Sequence, residues 1–232
     1  MELLSTLGFP LLTFVFHYLF YRQLKGAIFK TNWSAKRKQK VTFRIGIGLL
    51  TWAALVSVVS LSGFTSRFEL FPLNAMPVLL VPLITILALV LSKPTKEILP
   101  ELPLRSLTQL QVFRVFVELV LWLLFLQNQL PVQITFEGLN WDVLTGISAL
   151  LAVRFFLNSK PAMIIWNVAG LGLLINIVVV SILSMPTPFR VFSNEPANVI
   201  VTQFPYLYLP ASLVSLAYTL HFMSLRKLLL KQ

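Results

Sequence analysis

The chain contains no cysteine, which excludes disulfides, thiolate metal sites and thiol nucleophiles. Charge is scarce too. Only 12% of the 232 residues are Asp, Glu, Lys or Arg, against about 25% in a soluble domain. Histidine occurs twice, as His17 and His221, too few for the multi-histidine centres of membrane hydroxylases and hydrolases. The H-E-x-x-H zinc motif, the G-x-S-x-G nucleophile elbow and the P-loop are all missing. The last apolar stretch holds no lysine, so a retinal Schiff base of the rhodopsin kind has no anchor there. No repeat relates two halves of the chain, and no polar block is large enough to form a soluble domain.

What is abundant is apolar. Hydrophobic residues make up 57% of the chain, and its mean hydropathy is +0.83. Seven apolar stretches follow one another at about 3–21, 43–64, 73–91, 107–128, 140–157, 162–184 and 199–225. Each is long enough to be read as a helix crossing a bilayer. The first is followed, not preceded, by a basic run and lacks a small-residue cleavage site, so it reads as an anchor rather than a cleaved signal. Pro10 is expected to loosen it. Ser106 and Gln109 have capping-box spacing before the fourth stretch. Asn140 is placed to cap the fifth, with Asp142 near its positive end. Asn158, Ser159, Lys160 and Pro161 form a tight turn into the sixth. The seventh is interrupted by Pro205 and Pro210.

Lys and Arg divide unevenly among the connections. Arg22 to Arg44 contains eight, and Lys93, Lys96, Arg105, Arg114, Arg154, Lys160, Arg226, Lys227 and Lys231 fall on the same side of a seven-span path. Only Arg67 and Arg190 remain opposite. Positive loops stay cytoplasmic. The expected fold is therefore all-α: a single integral membrane domain over 1–232, a bundle of seven transmembrane helices with its N-terminus outside and its C-terminus in the cytoplasm. The net charge of +11 then reports orientation and contact with anionic headgroups rather than nucleic acid. The lipid bilayer is the expected partner.

Intramembrane ionisable residues are costly and mark function or internal pairing. Arg114 and Glu118 lie four residues apart in the fourth stretch, with Gln111 on the same face. Glu118 sits roughly 16 Å along the helix from Leu107, near mid-membrane. Arg154 and Asn167 fall at similar depth on the cytoplasmic half. Two readings follow. Arg114 and Glu118 pair with each other as glue between helices, or Glu118 exchanges a proton while Arg114 holds the anionic part of a small ligand. A second cluster, Asn128, Glu137, Asn140 and Asp142, reads as a solvated outer loop or a cation-binding mouth. His17 and His221 lie at similar depth near the inner boundary. Facing one another they could ligate a haem or a metal; as boundary residues they would bond carbonyls or lipid phosphates.

The segments FRVFVE, TFEGLNWD and PTPF, at 113–118, 135–142 and 186–189, resemble those of a group of small bacterial multi-pass membrane proteins with no established activity. The resemblance covers 111–208 and implies a bacterial cytoplasmic membrane. Together these features predict a protein that binds, moves or senses a small solute or proton at an internal polar site. An intramembrane enzyme using Glu118 as acid or base, and a non-catalytic membrane subunit or assembly factor, are the alternatives.

Overall fold

The computed structural model describes residues 2–230, which are helical and contain no strand. Lys231, counted above among the inner charges, lies outside the described residues. Helix α1 spans Glu2–Lys30, α2 Ala35–Leu61, α3 Met76–Leu91, α4 Lys93–Ile98, α5 Leu104–Leu110, α6 Phe113–Leu126, α7 Val143–Phe155, α8 Lys160–Leu183 and α9 Val214–Leu229.

Four of these stretches are long and apolar enough to cross a membrane: α1, α2, the near-continuous Leu104–Leu126 and α8. A fifth is added if α3 and the segment Lys93–Glu101, bent from it by 57°, count as one. Apolar side chains on these helices stand open to the surroundings, among them Leu3 at 71% exposure and Ile165 at 68%. A soluble protein rarely exposes contiguous apolar surface on this scale. Length and surface together are those of a membrane protein.

The remaining two expected spans depart from uniform helices. α7 has 13 residues, about 20 Å of helix, which is short for a crossing. The stretch 199–225 is not one helix. A single 3-10 turn, Ile200–Thr202, is followed by a wide turn with five-residue spacing at Leu209–Leu213 and only then by α9. Pro205 and Pro210 cannot donate a backbone hydrogen bond, and that breaks the ladder here.

Several ends also differ from the expected ones. α1 runs unbroken through Pro10 to Lys30, because the basic run beyond Tyr21 is built of good helix formers. α2 starts at Ala35, where the Ser34 hydroxyl accepts from the Arg37 amide. The capping box at Ser106 and Gln109 is not used. Pro103 sets the start of α5, leaving Ser106 inside it. Asn140 lies three residues before α7, where its side-chain oxygen accepts from the Asp142 amide in the turn leading in, while its nitrogen is committed elsewhere. The turn before α8 forms as expected, with Ser159 accepting from the Ala162 amide.

Helix α9 is the hub. Its buried stripe of Leu216, Ala217, Leu220, His221, Met223 and Ser224 is too broad for one neighbour, and α3, α5 and α8 all pack on it. A second group joins α1 to α2, α5 and α6, with the Phe16 ring tilted against that of Phe113 at 5.5 Å. α7 closes the bundle against α5, α6 and α8. Between helices in a bilayer there is little hydrophobic driving force, so close packing and buried polar contacts set the arrangement.

Candidate ligand site

The helix carrying Arg114 is not uniform. Between α5 and α6 the amides of Gln111, Val112, Arg114 and Val115 reach back only three residues, to Thr108, Gln109, Gln111 and Val112. Such a tightened stretch inside a longer helix often marks a functional position. It brings Gln111 and Arg114 into the interior, where both are buried.

At its far end α6 stops in a Schellman arrangement. The Asn128 amide donates to Phe125 and the Gln129 amide to Leu124, with Asn128 in the left-handed region at φ 56°. Asparagine tolerates that conformation better than most residues. The chain then turns back along α6 and dips into the bundle. Gly138 permits the tight return: a Cβ there would lie 2.4 Å from the Val132 carbonyl oxygen.

The returning loop brings two residues of the expected outer cluster onto the two charges of α6. Asp142 Oδ1 accepts from Arg114 Nη1 at 2.6 Å. Glu118 takes no part in that pair. One of its oxygens accepts from the Phe136 amide at 2.6 Å and the other from the Asn140 side chain, which also donates to the Ile134 carbonyl. Arg114 and Glu118 are only 3% and 2% exposed. They do not bond each other; each anchors a different point of the same loop. Gly146 lets α7 cross closely at this level, since a Cβ would sit 3.0 Å from the Val115 nitrogen.

The guanidinium is only partly satisfied. Nη1 makes the bond to Asp142 and a long 3.5 Å contact to the Gly170 carbonyl. Nε and Nη2 are buried with no partner. Nearby buried atoms are also unpaired, including Gln111 Oε1, Thr145 Oγ1 and His221 Nε2. An unpaired buried donor carries its desolvation cost uncompensated, and a charged one more so.

Arg114, Asn140 and Asp142 line one end of a cavity of about 100 Å³. Its walls are apolar and come from α3 (Val78, Leu79), α6 (Val117, Leu121), α8 (Leu174, Ile177, Val178) and the Leu209–Ala217 stretch. Helices α3 and α8 both pack on α9 and leave a cleft between them, lined by the half-buried Leu79 and Val178. Beside it Leu80, Val81, Ile175 and Val179 are exposed. The cavity is partly open, and this cleft faces apolar surroundings.

The other expected residues are placed as follows. Asn167 on α8 is fully buried and accepts from His221 Nδ1 at 2.8 Å. As an amide oxygen only accepts, that ring nitrogen carries the proton. Arg154 is exposed at the end of α7, beside Phe155, and does not join the cluster. Glu137 is exposed and accepts from Trp122 Nε1 at 2.6 Å, and Asn128 is a helix cap. The expected outer mouth thus divides, with Asn140 and Asp142 inside and Asn128 and Glu137 outside. The histidines have separate partners. His17 Nδ1 bonds the Thr13 carbonyl of its own helix, His221 is held by α8, and α5 packs against both α1 and α9. Among the described residues no three His, Asp or Glu side chains group as a metal site would.

The apolar walls and the Leu209–Leu213 turn were not singled out from sequence. Pro205 and Pro210 were the available signal, since a broken helix at membrane depth is tolerated where it lines a cavity. No curated protein and no solved structure matches the chain. Residues 78–229, which hold nearly all of α3 to α9 together with Arg114, Glu118, Asn140 and Asp142, match the family described as a domain of unknown function, DUF8737, and the chain belongs to that family.

Proposed function

We propose that this protein binds a small, largely apolar ligand in the cavity between α3, α6, α8 and α9, and thereby moves or senses it. The observation that carries the reading is the combination, in one cavity, of apolar walls with a buried and under-satisfied Arg114. Such sites typically join a hydrophobic lining to a few placed polar groups. Arg114 and Asp142 form the polar end. Glu118 is a positioning residue: with both oxygens held by Phe136 and Asn140, it fixes the loop that presents Asp142. That commitment favours binding over acid–base chemistry at Glu118.

The membrane arrangement inferred with this reading has seven crossings, the N-terminus outside and the C-terminus in the cytoplasm. The uneven Lys and Arg distribution supports it, with α7 and the dipping loop before it sharing one crossing. The resemblance to small bacterial membrane proteins supports a bacterial cytoplasmic membrane.

The test is chemical. Purified protein, denatured and extracted, should release a small molecule seen by mass spectrometry. Ala217→Phe, which fills the cavity from α9 where Ala217 is buried, should abolish its retention while the fold persists. Equal retention by both proteins would refute the site. A Soret band in the absorption spectrum would redirect attention to His17 and His221.

A further inference from the structure

The unpaired nitrogens of Arg114 are not a random pair. Nε–H and the adjacent Nη2–H form one straight edge of the guanidinium, the edge that meets two oxygens of a single group side by side. Asp142 occupies Nη1, on the other edge. The whole two-donor edge is therefore buried and empty, at the polar end of a cavity whose remaining lining is overwhelmingly apolar. A hydroxyl or lone carbonyl would satisfy at most part of it. Two oxygens on one carbon match it, and an aliphatic body matches the walls of α3, α8 and α9.

We propose that the ligand is an amphipathic organic acid with one carboxylate, seated on the Nε–Nη2 edge of Arg114, and an unbranched apolar body whose first carbons lie in the cavity and whose remainder extends out through the cleft between α3 and α8. This rests on reading the cavity as the ligand site. The cleft between α3 and α8, bordered by exposed Leu80, Val81, Ile175 and Val179, lets such an acid enter sideways from a bilayer without leaving an apolar medium.

Charge balance adds a consequence. The groups that face the guanidinium are Asp142 from the loop before α7 and Tyr218 and His221 on α9, with Glu118 on α6 next beyond Asp142. α3 and α8 bring no titratable group to the cavity. Arg114 and Asp142 already cancel, and Glu118, with both oxygens accepting, offers no positive charge, so an incoming carboxylate finds no counter-charge in this buried site unless a proton comes with it. Burying that uncompensated charge is prohibitive. The acid therefore binds together with one proton, shared among its own carboxyl, Asp142 and Glu118.

The experiment is calorimetric titration of the full-length protein in detergent with decanoate, methyl decanoate and decanol, in two buffers of different ionisation enthalpy at neutral pH. Palmitate in lipid nanodiscs repeats it for an acid delivered from the bilayer. The expected result is saturable binding of decanoate with one proton taken up per acid. The ester and alcohol should bind about tenfold to a hundredfold more weakly, the difference a charge-assisted contact supplies. Arg114→Lys, which keeps the charge and loses the edge, should weaken the acid by a similar factor and leave the ester unchanged. Its folding is checked by thermal melting. Should Arg114→Lys fail to fold, the acid-to-ester ratio and the proton count in the unaltered protein decide alone. Equal binding of acid, ester and alcohol, blocked by Ala217→Phe, would overturn the acid and leave the cavity as the site. Binding of none of the probes, in detergent or nanodiscs, would overturn the acid, and retention of some other molecule in the extraction experiment would still uphold the cavity. Palmitate binding without decanoate binding would assign the acid to the bilayer; the reverse would assign it to water.

Discussion

Replacing Asp142 with Asn removes the only counter-charge bonded to a guanidinium that is 3% exposed. Taking one partner from a buried ion pair costs about 3–5 kcal/mol, because the other is left charged in a poorly polarisable interior. The Asn oxygen keeps a hydrogen bond to Nη1, worth about 1 kcal/mol. The expected loss is thus about 2–4 kcal/mol. Arg114→Met removes the stranded charge, so combining it with Asp142→Asn should recover at least half of that loss. Reversible unfolding of the purified protein in mixed micelles, over all four corners of the double-mutant cycle, measures this coupling directly. A loss below about 1 kcal/mol for Asp142→Asn, small against the cost of an unpaired buried charge, would refute the argument that the pair holds the loop. So would costs that simply add.

Glu118→Gln turns one accepting oxygen into a donor facing the Phe136 amide or the Asn140 side chain. It should cost about 1–3 kcal/mol and speed hydrogen exchange in the 131–141 loop, leaving exchange in α1 and α2 unchanged. Asn128 occupies the left-handed region at φ 56°, so Asn128→Val should cost about 1–2 kcal/mol, while Asn128→Gly should be neutral or slightly stabilising on thermal melting. In the loop after α8, the Arg190 guanidinium and then the Ala197 amide hold the Glu195 carboxyl below its ordinary 4.5. Since the folded value is depressed, that contact is intact above 4.5 and lost only as the pH falls below it. Exchange protection at Ala197, corrected for the intrinsic rate, should follow that course. Protection fading while the pH is still above 4.5 would contradict it.

The helices and the buried charges were legible because their signals are local. Apolar length marks α1, α2 and α8, and the i, i+4 spacing of Arg114 and Glu118 put both on one inward face. What spacing could not convey is which group each would meet. Arg114 bonds a residue 28 positions away and Glu118 one 22 positions away, so the partners depend on a loop that leaves the helix end and re-enters the bundle. Asn140 and Asp142 looked solvated because they follow a turn in a polar segment. Gly138 permits the return that buries them. The seventh stretch looked like one helix by hydropathy, although its two prolines divide it and create part of the cavity wall. Arg154, grouped with the inner residues by depth alone, faces outward, since depth along a helix fixes level but not direction.

The central claim is that the cavity at Arg114 receives an acid through the cleft between α3 and α8. Photolabelling the protein in bilayers with a diazirine-bearing fatty acid, followed by peptide mapping, tests it most directly. The account predicts label concentrated on α3, α8 and the 209–217 stretch, displaced by unlabelled acid and lost in Ala217→Phe. Label spread over the exposed apolar faces of α1 and α2, undiminished by competitor, would contradict it.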